Sequence, residues 1–340
     1  VTTTPWTPAA AAALADALDH AVLDRGVPGG VLVLGTAGTT EAAGRTVTAR
    51  GAVAPECGRA APDERTRYDL ASLTKITATW ALTGRALAGG LLDLDEPLRA
   101  RFPHLPSPGG WLTVRQLLAH SAGLQPETRL DRYLHLDRPL AELLCAEQLV
   151  ATPGTEHRYI NRGYVLLGLL LADAHGTPLD ALGDRYWNEL GMRDTEFGPV
   201  RRSPAVAPTE QRLRGAPRTW GIPHDPNAAL LNGIAGHAGV FSTAADLAAF
   251  AEHLLTADDP WLTASLRPQI AVEAGRSRGL GWLVTDTGAA YHHGYTGTSL
   301  YLCPALGRYA VLLTNAVYHG FSGSRLTPLR DRILAAVTAP

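Results

Sequence analysis

Lysine is almost missing from this chain of 340 residues: of its 30 basic side chains only Lys75 is a lysine, and the rest are arginine. Cysteine is sparse too, at three widely spaced positions, Cys57, Cys145 and Cys303. An odd number so spaced makes no disulfide framework and predicts reduced thiols in a cytoplasmic protein. No uninterrupted apolar run reaches the roughly 18 residues of a transmembrane helix, so no membrane span is expected. The start of the chain lacks a basic segment, and Asp16 and Asp19 break the alanine-rich run behind it, which reads as a surface helix rather than a secretory leader. A net charge of −2 leaves no electropositive footprint for nucleic acid. His120 and His237 have no partners at His-Glu-x-x-His or paired Cys/His spacing, so neither a metal nor another cofactor is expected.

The single lysine sits in Ser72-Leu-Thr-Lys75, where a strand end runs into a helix. Leu73, Ile76, Trp80, Gly84 and Leu87 recur at three- and four-residue steps, and Gly89-Gly90 supplies the stop. Between Asp69 and Asp93 only Lys75 and Arg85 are charged, which predicts a buried helix. Three residues apart, Ser72 and Lys75 share one helix face. Burial disfavours the charged form of a lysine, and a neutral amine can take the proton of a serine that attacks a carbonyl. Arginine cannot substitute, because it stays charged. Ser-x-x-Lys alone is a weak signal among ten serines, and a surface lysine is the plainer alternative. A lysine kept here and nowhere else favours the chemistry.

Along the chain, residues 8–25 read as an amphipathic helix with Leu14, Leu18 and Val22 on one side. Residues 29–34 and 46–53 read as antiparallel strands, and Pro103, Pro106, Pro108, Gly109 and Gly110 mark a loop. Helical periodicity follows over 113–120, 140–150, 162–175, 178–190 and 243–255, with Thr113 and Thr243 as N-caps. Residues 199–226 carry six prolines and no period, the signature of a long loop over a site. Strands return at 280–285, 289–292, 299–303 and 309–314, and a helix closes the chain at 326–337. The expected fold is α+β: an antiparallel sheet built from both chain ends, flanked by helices, with an inserted mainly helical region. The division would be 1–95 with 270–340 for the sheet region and 96–269 for the helical one.

Three ordered stretches carry a family resemblance. Ser72-Leu-Thr-Lys75 resembles the first motif of the penicillin-recognising serine hydrolases, namely class C β-lactamases, penicillin-binding proteins and related esterases and acyltransferases. Tyr159-Ile-Asn161, behind Pro153-Gly154-Thr155, is similar to their Tyr-x-Asn element. His292-His293-Gly294 is similar to their Lys-Thr-Gly or His-Thr-Gly strand. The resemblance spans about residues 10–335 and includes 117–124, 236–246 and 279–282. It implies a β-lactamase/transpeptidase-like fold, Ser72 as nucleophile and Lys75 as base. It implies that Tyr159 exchanges a proton with the serine or the leaving group and that Asn161 holds substrate and lysine. The N–H groups of Ser72 and Tyr295 would form the oxyanion hole, and His292, His293 and Gly294 would edge the substrate. The alternative for Tyr159 is a buried core tyrosine; Ser121 and Ser242 read as capping or turn residues.

His292 stands where that family has lysine and His293 where threonine is usual, with one residue of ambiguity in the assignment. Lactamases engage the antibiotic's carboxylate there. A neutral imidazole does so less well, which favours an ester or amide of a small molecule over a β-lactam. Three functions follow: a serine acyl-enzyme hydrolase, an acyltransferase passing the acyl group to an amine or alcohol, or an inactive binding domain. Arg201, Arg202, Arg212, Arg214 and Arg218 in the proline-rich loop fit either a solvated surface or an anionic carrier-protein or coenzyme A donor.

Overall fold

The computed structural model describes residues 3–38, 45–56, 58, 60–213 and 215–340. The expectations for Cys57 and Arg214 lie outside the described residues. Strands β1 (Gly29–Thr36), β2 (Arg45–Gly51), β3 (Tyr68–Asp69), β4 (Glu196–Phe197), β5 (Val240–Ser242), β6 (Ile270–Glu273) and β7 (Arg276–Arg278) come first in the chain. β8 (Leu283–Thr285), β9 (Ala290–His293), β10 (Ser299–Cys303) and β11 (Arg308–Thr314) follow. The large sheet has the order β2-β1-β11-β10-β9-β8-β7-β6 and is antiparallel throughout. Its strands therefore come from 29–51 and 270–314, and the two chain ends meet where β1 pairs with β11, Val31 opposite Leu313.

Every residue of β1 and β11 is buried, because helices cover both faces of the sheet. With a side-chain period of two, Leu32, Leu34, Tyr301 and Leu312 pack beneath the terminal helices, against Leu14, Leu18, Ile333 and Val337. Val31, Val33, Leu300 and Leu313 face the opposite way, into the core shared with Trp80, Leu167 and Phe250. That second core is continuous from the sheet into the helical layer. The caps follow the expected chemistry: Thr113 forms a capping box with Gln116, and Thr243 accepts from the N–H of Asp246. Among the described residues no single helix is long and apolar enough to cross a membrane.

The differences from expectation have local causes. The β6–β7 hairpin and the small β3-β5-β4 sheet are made of strands of two to four residues, too short for a period to show. The short helices Leu98–Arg101, Pro226–Leu230 and Pro260–Ser265 escape for the same reason. The strand expected from 280 starts at Leu283, because Gly279 to Trp282 form a turn closed by a 2.8 Å bond between those two residues. Ser242 is not a cap; it lies in β5 with its hydroxyl 2.7 Å from that of Thr195, and the cap is its neighbour Thr243. The Ser72 segment is not a uniform α-helix. It opens as a 3-10 turn (Ala71–Leu73), continues as a π-helix (Lys75–Trp80) and becomes α-helical at Ala81–Ala88.

Candidate active site

The segment that presents Ser72 begins with strain. Ala71 has φ 47°, a left-handed conformation that costs an alanine about 1 kcal/mol. Asp69 holds it there: one carboxylate oxygen accepts the N–H of Ala71 at 2.8 Å and the other that of His224 at 2.6 Å. Burial raises the proton affinity of Asp69 while these two N–H groups work to lower it. One turn on, Lys75 is fully buried, as its apolar flanks require. Its Nζ lies 2.9 Å from Ser72 Oγ, 2.9 Å from Asn161 Oδ1 and 3.1 Å from the carbonyl of His237. The carbonyl and the amide oxygen can only accept, so they take two N–H groups of the amine. Protonated, the amine can donate to all three oxygens; once it has given up a proton, its third valence is a lone pair free to take the proton of Ser72. That geometry suits proton removal from Ser72.

Asn161 is the first residue of the helix Asn161–His175, and the chain before it is clamped by His120. The N–H of Ile160 donates to His120 Nδ1 at 3.2 Å, and that of Arg158 to the His120 carbonyl at 2.8 Å. The His120 ring lies between Tyr159 and Tyr164, with centroids 4.4 and 5.0 Å away. His120 is therefore a structural clamp. Tyr159 is 44% exposed, which excludes the core-tyrosine alternative. It meets the site through its ring face: Lys75 Nζ is 5.0 Å and Arg278 Cζ 5.6 Å from its centroid. Its hydroxyl makes no hydrogen bond to a described residue, so the expected proton exchange with Ser72 is not a ready-made contact.

The third stretch is stitched to the first. Thr296 Oγ1 donates to the Asp69 carbonyl at 2.7 Å, and Thr298 Oγ1 to that of Leu70 at 2.9 Å. Gly294 passes so close that a Cβ there would lie 2.0 Å from Thr298 Oγ1 and 2.4 Å from the Leu70 carbonyl. The backbone N–H groups of Ser72 and Tyr295 donate to no described residue, as an open oxyanion hole requires. Gly294→Ala is expected to destabilise the fold by about 1–3 kcal/mol and to lower turnover further by moving the Tyr295 amide. Urea unfolding and kinetics on the same sample would separate the two effects.

Adjacent residues of a strand face opposite ways, yet both histidines border the same cavity. His292 turns toward Tyr159, with ring centroids 6.0 Å apart, whereas His293 bonds Tyr301 Oη at 3.0 Å. His292 Nδ1 lies 3.0 Å from the His293 carbonyl and donates to it, leaving Nε2 a buried lone pair without a partner. Burial, then Arg278 and Lys75, hold His292 well below the usual histidine range; burial, then Arg330, Arg276 and Arg278, do so for His293. Burial, then Arg278 and Lys75, also lower His120.

A pH dependence follows. Below about pH 6.5 the unfolded chain protonates these histidines while the folded chain holds His120 and His292 neutral, so acid favours unfolding. Each is expected to remove about 1.4 kcal/mol of stability per pH unit in that window. Urea midpoints at pH 7.5 and 5.5 check this, and a flat profile would contradict it.

Ser72, Tyr159, Asn161, His292 and His293 line a cavity of about 810 Å³ whose walls include several residues that sequence reasoning missed: Glu210, Asp225, Arg276, Arg278 and Arg330. Among the four described loop arginines only Arg212 reaches it; Arg218 instead pairs with Glu56, and Arg202 lies over Trp220. Asp225 Oδ1 lies 2.8 Å from His237 Nε2 and caps the helix Pro226–Leu230. Burial raises the affinity of Asp225 for a proton, but His237, the Ala228 N–H and Lys75 together hold its carboxyl well below the usual range. His237 thus braces the backbone carbonyl that receives Lys75.

An eight-stranded antiparallel sheet under two terminal helices, with Ser72 and Lys75 beside it, is the β-lactamase/transpeptidase-like fold. The chain belongs to the Beta-lactamase family, a serine-hydrolase-type family whose model matches residues 12–335. It is 28% identical over 300 residues to an N-acetylmuramyl-L-alanine amidase of Bacillus subtilis, covering 74% of this chain and 68% of that one. It is 26% identical over 301 residues to a putative D-alanyl-D-alanine carboxypeptidase of Escherichia coli, covering 74% and 69%. Among solved structures it is similar to EstCE1, a hydrolase with promiscuous acyltransferase activity, with TM-score 0.76, 22% identity and coverage of 97% and 99%.

Proposed function

We propose that this protein is a serine acyl-enzyme hydrolase acting on an ester or amide of a small molecule. The observation that carries the reading is the Lys75 amine, held by two obligate acceptors so that its third valence meets Ser72 Oγ at 2.9 Å. Ser72 Oγ attacks the substrate carbonyl carbon as its proton passes to Lys75. The oxygen of the tetrahedral intermediate is received by the N–H groups of Ser72 and Tyr295, each such donor being worth about 3 kcal/mol. The proton then moves to the leaving alcohol or amine, with Tyr159, whose ring lies against Lys75, completing the relay. Water attacks the acyl-serine, and the carboxylic acid departs as Ser72 regains its proton. An acceptor amine or alcohol in place of water would make the same intermediate an acyl-transfer step, and the cavity has the volume for one.

Intact-protein mass spectrometry after brief exposure to activated esters, a thioester and a penicillin tests the reading. A transient adduct that Ser72→Ala lacks supports it. Faster decay with an added amine, together with transfer product, would favour acyl transfer. No adduct on folded protein would favour a binding domain.

A further inference from the structure

We propose that Phe321 and Tyr295 form a stacking ledge, and that the substrate of Ser72 carries a flat aromatic ring a few bonds from the carbonyl under attack. The inference rests on the reading of Ser72 as nucleophile and goes on to name the substrate class. Among the described residues the exposed large aromatic side chains are Trp111, Tyr159, Tyr295 and Phe321. Three of the four line the cavity, and Trp111, outside it, carries the Arg99 guanidinium over its ring. The Tyr159 ring is likewise occupied, by the cationic groups of Lys75 and Arg278. The Tyr295 and Phe321 rings have no such task. They are 50% and 58% exposed and stacked on each other, with centroids 4.5 Å apart and planes 10° from parallel. Leaving that much apolar ring in water forfeits its burial energy, and contiguous patches of this kind mark binding surfaces.

The ledge is tied to the nucleophile. Tyr295 also stacks on the His224 ring, with centroids 5.3 Å apart. His224 is fixed by its backbone N–H on the Asp69 carboxylate at 2.6 Å and by its Nε2 on Glu210 at 2.9 Å. The same carboxylate holds Ala71, next to Ser72, and the Asp69 carbonyl accepts the hydroxyl of Thr296, next to Tyr295. On the other side, Arg325 staples the turn before Phe321 through the carbonyls of Ala316 and Gly320. Because the Tyr295 N–H receives the substrate's carbonyl oxygen, the ring of the same residue lies within a few bonds of that carbonyl. Ring faces attract cations as well as flat neutral groups. Here Arg212, Arg276, Arg278 and Arg330 line the cavity against two acids, Glu210 and Asp225, each paired with a histidine. That excess of positive charge disfavours a cation and leaves a neutral ring as the partner for offset stacking.

The test compares esters that differ only in an aromatic against a saturated six-membered ring. On the acyl side these are vinyl 3-phenylpropanoate and vinyl 3-cyclohexylpropanoate; on the leaving side, benzyl acetate and cyclohexylmethyl acetate. The saturated ring is the more hydrophobic, so a merely apolar pocket would prefer it. A stacking ledge reverses the order, and in at least one pair the aromatic ester is expected to show a kcat/KM roughly 3- to 10-fold higher. Phe321→Leu keeps an apolar side chain without a ring face, at an exposed position, and should bring that ratio to one or below. Tyr295→Leu, which retains the backbone N–H, should lower it as well. A ratio that both variants leave unchanged, whatever they do to the rates, would make the rings structural and overturn the proposal. So would a wild-type protein with no aromatic preference in either pair, a result that needs no variant to fold. If activated esters still acylate Ser72, that failure is the ledge's alone. Absence of Ser72-dependent acylation by any ester would instead refute the hydrolase reading, and the proposal with it.

Discussion

Ser72→Ala is expected to remove the acyl adduct and to cut ester turnover by roughly 10,000-fold, with the fold intact. The variant deletes one oxygen at a 3-10 turn that the Asp69 carboxylate and the Leu70 carbonyl hold in place without it. Lys75 keeps two of its three contacts, to Asn161 and His237, so no buried charge is stranded. The nucleophile is lost while the oxyanion donors and the cavity remain. Substrate should therefore still bind, with KM changed far less than kcat. Steady-state kinetics paired with intact mass would show this split. An adduct that forms in the variant at the wild-type rate would place the nucleophile elsewhere.

The parts of the fold legible in the sequence are those with a long period or a chemical singularity. The helix Pro8–Leu23 shows its stripe because it lies on the sheet with one side only. The strands β10 and β11 read as apolar runs because both of their faces are covered. Lys75 stood out through arginine having replaced lysine everywhere else. The remainder was hidden for physical reasons. In the edge hairpin β6–β7 the outer strand β6 alternates half-buried and exposed residues, and with Glu273, Arg276 and Arg278 in its sequence the hairpin looks like solvated loop. Nothing local distinguishes Arg278 from the surface arginines; its burial comes from Tyr159 and His157, more than a hundred residues away. The pairing of His237 with Asp225 was equally invisible, because a helix and the turn after it separate them. The one signal available was that Asp225 precedes Pro226, the N-cap pattern that places its carboxylate.

Lys75→Arg tests the base most sharply, because it preserves charge and donor capacity while forbidding neutrality. The native amine occupies a fully buried space bounded by Ser72 Oγ, Asn161 Oδ1 and the His237 carbonyl at 2.9–3.1 Å. A guanidinium is wider than an ammonium and stays protonated, so it can donate to all three oxygens but cannot receive the serine proton. Turnover is expected to fall by about 1,000-fold or more, and overpacking should cost about 1–3 kcal/mol of stability. Lys75→Ala separates crowding from chemistry. It opens room, leaves the Asn161 and His237 oxygens without their donor, and should regain part of its acylation rate when a small primary amine is supplied. Substantial acylation by Lys75→Arg would refute the general-base assignment and shift the role to Tyr159 or to the free lone pair of His292. Rescue of Lys75→Ala by methylamine at pH 9 but not at pH 7 would show that the working form is the unprotonated amine, the property that arginine lacks.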